Sequence, residues 1–120
     1  MEKEFSQLKV FNLAHKLALE TYELTNKFPS KEQYSLTSQL RRAVVSVPAN
    51  IAEGNARNSK KEFIRFLFTA KGSLAEVKYF LLLSKDLNYI SQKEYNQLSS
   101  KADEVGKMLN GLIKYLKSRI

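Results

Sequence analysis

Cysteine and tryptophan are absent from this chain, histidine occurs once, at His15, and proline only twice. Without cysteine there is no disulfide, no thiolate nucleophile and no sulfur-ligated metal, a composition that suits a reducing compartment. The single histidine lies in Ala14-His15-Lys16-Leu17 and forms neither a Glu-x-x-His nor a His-x-x-x-His pair. The helix-borne di-iron and zinc motifs are therefore missing, and no metal or cofactor is expected. There is also no Gly-x-Ser-x-Gly elbow and no glycine loop of the phosphate-cradling kind. The four glycines, Gly54, Gly72, Gly106 and Gly111, all fall inside helical patterns, where their expected role is to let helices approach closely. The longest purely apolar run, Phe80 to Leu83, is far too short to span a bilayer, and the first ten residues lack the apolar stretch of a signal peptide. No membrane partner is expected, and the cytoplasm is the expected location.

What is present is a helical pattern from end to end. At 120 residues, with 43% hydrophobic and 27% charged side chains, the chain has the size and composition of one globular domain, residues 1–120. Apolar residues recur at alternating three- and four-residue spacing in four segments, the stripe that a helix turns toward a bundle core. The first stripe is Val10, Ala14, Leu17, Thr21, Leu24 and Phe28, and the second is Leu36, Leu40, Ala43, Val47 and Ile51. The third is Phe63, Phe66, Ala70, Leu74, Val77 and Leu81; the fourth is Tyr95, Leu98, Ala102, Val105, Leu109, Leu112 and Leu116. Three helix starts carry a serine followed three residues later by Gln or Glu, the pair that satisfies orphan N–H groups reciprocally: Ser30 with Gln33, Ser59 with Glu62, and Ser91 with Glu94. The links near Pro29, Asn58 and Asn88 are short, so consecutive helices must fold back on one another. The expected fold is all-α, an antiparallel up-down-up-down four-helix bundle.

Two features depart from a plain bundle. Pro48 lies within the second helical pattern, where it removes a backbone hydrogen bond, and a kink in that helix is expected just before it. The third helix carries a second apolar line, Ile64, Phe68, Ala75, Tyr79 and Leu82, rotated away from the core stripe. Two apolar faces on one helix point to burial on both sides, so this line is the expected oligomer interface; the plainer alternative is a helix deeply buried within one protomer.

The formal charge is +8, from 20 Lys and Arg against 12 Asp and Glu. Such a balance attracts phosphate backbones, although it also serves solubility alone. Arg41 and Arg42 precede the kink, Arg57, Lys60, Lys61 and Arg65 crowd the junction of the second and third helices, and Lys114 and Lys117 load the last turns of the chain. Cations near a helix C-terminus complement its dipole, which accounts for the last pair locally. The junction cluster sits partly at a helix N-terminus, where anions dock, and is the first choice for phosphate contact. No aromatic ladder is interleaved with it, so sequence-tolerant backbone binding is the expected mode. A polar line of Gln39, Arg42, Asn50, Glu53 and Arg57 along the second helix is expected to be structural, with Glu53 paired to Arg57 or to a basic residue of a neighbouring helix and Asn50 satisfying backbone freed near Pro48; the alternative is a polar pocket where a carboxylate and an arginine meet a ligand. An enzyme built on Glu53 or His15 lacks any assembled partner groups.

The segments Gln39-Leu40-Arg41-Arg42-Ala43 and Ser46-Val47-Pro48-Ala49-Asn50-Ile51-Ala52-Glu53-Gly54, followed by Glu62-Phe63 and Gly72-Ser73-Leu74, resemble one family. It is the four helix bundle proteins encoded within intervening sequences of bacterial large-subunit rRNA genes, related in fold to the accessory variability determinant of diversity-generating retroelements. The resemblance covers nearly the whole chain and implies a barrel-shaped homopentamer of four-helix protomers. Arg41, Arg42 and Arg57 match arginines of the family motif. The retroelement relative is understood to bind nucleic acid and a reverse transcriptase through a basic surface, so RNA or DNA, and a reverse transcriptase or another protein, are the implied partners. The expected function is that of a non-enzymatic oligomeric accessory protein associated with nucleic acid; the alternative is a protein-interaction scaffold whose charge keeps it soluble.

Overall fold

The computed structural model describes residues 4–120. Four helices, α1 (Lys9–Thr25), α2 (Leu36–Ala56), α3 (Lys60–Asp86) and α4 (Gln92–Lys117), form an antiparallel up-down-up-down bundle 46 Å long. Each helix packs on its neighbour in sequence, and α4 closes the bundle on α1. Lys27 of α1's trailing turn reaches Glu94 at the start of α4, and Glu20 reaches Lys101, which fixes that last pair as antiparallel. Short 3-10 turns at Phe5–Gln7 and Ser30–Glu32 precede α1 and α2.

The apolar stripes account for most of the core. Val10, Ala14, Leu17, Thr21 and Leu24 of α1 and Leu36, Leu40, Ala43, Val47 and Ile51 of α2 are buried as their spacing requires. In α3 the phase differs slightly from the expected one. Ile64 and Leu67 enter the core beside Ala70, Leu74, Val77 and Leu81, whereas Phe63 and Phe66 lie at its margin against α2. In the last turns of α4 Ile113 is buried beside Leu116, with Leu112 only half-buried. The bulk of the large aromatics decided the expected phase; the actual phase places branched aliphatics at the centre and rings at the seam.

The helix starts follow capping chemistry in two cases of three. Ser91 and Glu94 form the full reciprocal box, with Ser91 Oγ accepting from Glu94 N–H at 3.0 Å and Glu94 Oε1 accepting from Ser91 N–H at 2.8 Å. Ser59 Oγ accepts from Glu62 N–H at 3.2 Å, but the Glu62 carboxylate turns instead to Arg65. Ser30 begins only a 3-10 turn, and α2 starts five residues later than its Ser30-Gln33 pair implies. The reason is local: Glu32 Oε1 accepts from Ser35 Oγ at 2.6 Å while Glu32 Oε2 accepts from Tyr89 Oη at 2.7 Å. These bonds hold residues 30–35 as a tight turn tied to the α3–α4 connection. Asn58 and Asn88, with φ of 57° and 64°, supply the left-handed residue that ends α2 and α3, a conformation asparagine tolerates better than most side chains. Pro48 is buried inside α2, which continues through it to Ala56. Asn50 Nδ2 donates to the Ser46 carbonyl at 2.8 Å in the turn that the proline interrupts.

Three carboxylates of this frame titrate below their ordinary 4.5: Glu32 through the hydroxyls of Ser35 and Tyr89, Glu62 through Arg65, and Glu94 through Lys27 and the Ser91 N–H. A depressed folded pKa contributes stability that is present above the unfolded value and lost as pH falls through the folded one. Thermal unfolding should therefore be insensitive to pH from neutrality down to the ordinary carboxylate value and fall steadily below it. Glu94→Gln should melt a few degrees below the parent at pH 7, and melting curves across pH should show that gap closing in acid; a gap that persists at acid pH would contradict this account.

Candidate nucleic-acid interface

The junction of α2 and α3 is the tightest seam of the bundle. A Cβ on Gly54 would lie 2.7 Å from Phe66 Cβ and 2.9 Å from Phe63 Cδ1, so only glycine lets α2 approach α3 here. A Cβ on Gly106 would meet only Leu74 Cδ2, at 3.4 Å, close to ordinary contact, and Gly72 and Gly111 face open space and allow no close approach within the protomer. One turn beyond Gly54, the guanidiniums of Arg57 and Arg65 each lie 4.9 Å from the Phe66 ring centre. Arg57 also pairs with Glu53 at 2.8 Å and Arg65 with Glu62 at 2.7 Å. The Glu62 hydrogen bond and charge raise the Arg65 pKa further. Both arginines of the junction are thus engaged in intrahelical pairs, while Lys60 and Lys61, exposed on the first turn of α3, have no carboxylate partner among the described residues.

The end of α4 lies beside this start of α3. Lys117 Nζ sits 5.3 Å over the Phe68 ring, and Lys71 Nζ lies 5.4 Å from the same centre. No Asp or Glu follows Glu104, so Lys114, Lys117 and Arg119 stand more than two turns beyond the last acid of the chain, whereas Lys107 is within a turn of Asp103 and Glu104.

Topology turns these local clusters into a global asymmetry. The start of α1, the end of α2, the start of α3 and the end of α4 meet at one end of the bundle. Cutting each helix at its midpoint, that end holds Lys9, Lys16, Arg57, Lys60, Lys61, Arg65, Lys71, Lys107, Lys114, Lys117 and Arg119 against only Glu4, Glu53 and Glu62. The opposite end has as many acids as bases, Lys27, Lys31, Arg41, Arg42, Lys78, Lys85, Lys93 and Lys101 against Glu20, Glu23, Glu32, Glu76, Asp86, Glu94, Asp103 and Glu104. The whole formal charge of +8 therefore resides in one half of the molecule. Reading the clusters helix by helix hides this; halving each helix along the expected topology reveals it from sequence.

Arg41 and Arg42 do not join the other basic residues. They lie near the start of α2, at the neutral end, roughly 24 Å along the helix from Arg57 at 1.5 Å per residue. Arg41 is a strut for α1: its Nε donates to Thr25 Oγ1 at 2.8 Å and its Nη2 to the Tyr22 carbonyl and Asn26 Oδ1 at 3.3 and 3.0 Å. These bonds cap the C-terminal turn of α1. The polar line along α2 divides as its spacing implies, with Glu53 held by Arg57, and Asn50 and Ser46 linked to Ser73 of α3, whose Oγ donates to Ser46 Oγ at 2.8 Å. His15 is exposed and stacked on Phe11.

The second apolar line of α3 is only partly a surface. Ile64 is 8% exposed and belongs to the core, because the α3 stripe is phased one residue later than the rings suggest. Phe68, Ala75, Tyr79 and Leu82 do share an exposed face, with Phe68 at 45% and Tyr79 at 56%. No group of acidic or histidine side chains suited to a metal occurs among the described residues, and no helix of the structure is long and apolar enough to cross a membrane.

An all-α bundle with one strongly basic end and no strand among the described residues defines a small class of helical proteins. Residues 6–111 match the family model described as 23S rRNA-intervening sequence protein, and the chain belongs to that family. It is similar to a crystal structure of a protein of unknown function from the S23 ribosomal protein family of Bacteroides thetaiotaomicron, at 25% identity and a TM-score of 0.79 over 88% of this chain and 98% of that one. None of the curated proteins matches the chain.

The family segment Val47-Pro48-Ala49-Asn50-Ile51-Ala52-Glu53-Gly54 is explained by packing: Val47 and Ile51 fill the core, Asn50 supports the backbone and Gly54 admits the α3 rings. Gly54→Ala gains about 1 kcal/mol of helix propensity but forces the two helices apart at a typical overpacking cost of about 1–3 kcal/mol. Gly111→Ala, with nothing within 4 Å, keeps the propensity gain alone. Denaturant unfolding should show the first variant less stable than the parent and the second more stable; equal gains from both would mean that the seam has room.

Proposed function

We propose that this chain is a non-enzymatic, self-associating accessory protein of the cytoplasm that holds nucleic acid on its basic end. The observation that carries the reading is the confinement of the whole +8 to the end where Lys60, Lys61, Lys114 and Lys117 stand free of carboxylates. Ammonium groups on rigid helix termini attract phosphates without reading bases, and each phosphate neutralised releases a condensed counterion. The free N–H groups at the start of α3 add a favourable anion field to the same surface. The rRNA setting named in the family description favours RNA as the polyanion.

Self-association is supported by the exposed face of Phe68, Ala75, Tyr79 and Leu82, an apolar stripe that a lone protomer leaves in water. The same stripe favours a second reading, a scaffold that docks a different protein and uses its charge only for solubility.

Anisotropy titrations of labelled RNA and DNA across salt, with sedimentation run in parallel, separate these readings. Lys60→Ala/Lys61→Ala/Lys114→Ala/Lys117→Ala should weaken binding and reduce the slope of log K against log salt by about 3. Lys31→Ala/Lys93→Ala, at the neutral end, should leave affinity nearly unchanged. Tyr79→Glu should shift the sedimenting species to smaller mass. Binding that depends only on how many lysines are removed, wherever they lie, would defeat the basic-end reading, and a wild type that sediments as a monomer would hand the α3 face to another protein.

A further inference from the structure

At the neutral end of the bundle, the α1–α2 connection builds a cleft of about 420 Å³ lined by Tyr22, Gln33, Tyr34, Ser38, Arg41 and Arg42 among others. Tyr34 is 90% exposed, the most exposed of the large apolar side chains, and its hydroxyl has no partner among the described residues. A ring so placed gains nothing by burial, yet the backbone that presents it is fixed. Ser35 N–H donates to the Glu32 carbonyl at 3.0 Å, Gln33 N–H donates to the Ser30 carbonyl at 3.1 Å, and the Glu32 carboxylate anchors the turn to Tyr89 across the bundle.

The cations of the cleft are of two kinds. Arg41 is immobilised by its three hydrogen bonds and lies 4.7 Å over the Tyr22 ring, leaving its Nη1 unused. Arg42 is exposed and makes no ion pair among the described residues, although Glu76 of α3 lines the adjoining cleft with it. An aromatic face in water, a second aromatic already capped by a guanidinium, a free arginine, and the amide and hydroxyl of Gln33 and Ser38 make up the chemistry that holds an unpaired nucleobase and its phosphate. A base within a duplex offers only its edges, because its faces are already stacked, so this chemistry selects single strands.

We propose that the Tyr34 cleft is a second nucleic-acid site, one that stacks one or two unpaired bases of a single strand on Tyr34 while Arg42 takes the adjoining phosphate. It rests on the reading that the protein binds nucleic acid and adds what the basic end lacks, a means of telling single strands from duplex. The aromatics are twelve residues apart in sequence and far from the junction lysines, which is why no interleaved ladder is legible along the chain.

The test compares a labelled single strand of about twelve nucleotides with the same strand carrying abasic sites, which keeps the phosphates and removes the bases. Loss of the bases should cost the wild type at least about fivefold in affinity, cost Tyr34→Phe the same, and cost Tyr34→Ala nothing. Because the chain has no tryptophan, tyrosine emission reports directly, and the base-bearing strand should quench it in the wild type more than in Tyr34→Phe, whose ring stacks without contributing tyrosine emission. Equal affinity of the wild type for both strands, with binding still sensitive to the basic-end lysines, would overturn the stacking site and leave the wider reading intact. Absence of binding to both strands and to a duplex alike at physiological salt would overturn both.

Discussion

The close approach of α2 to α3 at Gly54 is the constraint on which the arrangement of the rest depends. Because no Cβ stands there, Phe63 and Phe66 can lie flat along the seam, and the three-residue link from Arg57 to Ser59 can turn the chain through a single left-handed residue at Asn58. The ring of Phe66 then becomes a platform for Arg57 and Arg65, whose carboxylate partners one turn away hold them along the helices. Exposed pairs of this kind contribute little stability, about 0–1 kcal/mol each. Their consequence is positional: they occupy two of the four junction cations and leave Lys60 and Lys61 as the exposed charges of the first turn of α3 that make no ion pair among the described residues.

Up-down topology does the remaining work. Antiparallel helices cancel their dipoles, so a bundle has no strong intrinsic field along its axis. The charge distribution supplies one instead, by a composition change along α1, α3 and α4 rather than by any single motif, while α2 runs the other way with Arg41 and Arg42 at the neutral end. The last third of α4 lacks acids, the first third of α3 is rich in lysine, and the halves that meet at the other end balance residue for residue. Screening extends over about 8 Å at physiological ionic strength, so the two ends of a 46 Å body present independent surfaces to solution.

How much of this was legible in the sequence follows from which physical signal each part uses. Helix number, order and direction rest on three- and four-residue periodicity and on serine caps, and both are local; Ser91 with Glu94 is read correctly from four residues alone. Ser30 misleads because the competing partner of its segment is Tyr89, remote in sequence, which draws Glu32 into a turn. Ile64 was placed on the outer face because phenylalanine at 63 and 66 outweighs it in any hydrophobic pattern, yet rings fit the seam that Gly54 opens and the branched side chain fits the core. Arg41 shows the same limit for charge. Its neighbours in sequence suggest a basic patch, while its actual partners, Thr25, Asn26 and the Tyr22 carbonyl, are the unsatisfied end of another helix.

Charge confined to one end also constrains any assembly of this chain. Protomers packed side by side through the exposed α3 face with their axes parallel would bring their +8 ends together, and that repulsion opposes the burial of Phe68 and Tyr79. A bound polyanion neutralises the repelling ends and so favours the parallel assembly by the same free energy with which assembly favours the polyanion, since coupling between two binding events is reciprocal. Protomers packed antiparallel would set each basic end beside a neutral one, and their association would be nearly indifferent to nucleic acid. The cation–π contacts of Lys71 and Lys117 with Phe68 bear on this choice, because they place two ammonium groups at the rim of the apolar stripe on its basic side. In parallel packing those groups would meet their own kind across the contact, and the basic end and the α3 face would then act as a single coupled surface rather than as two separate ones.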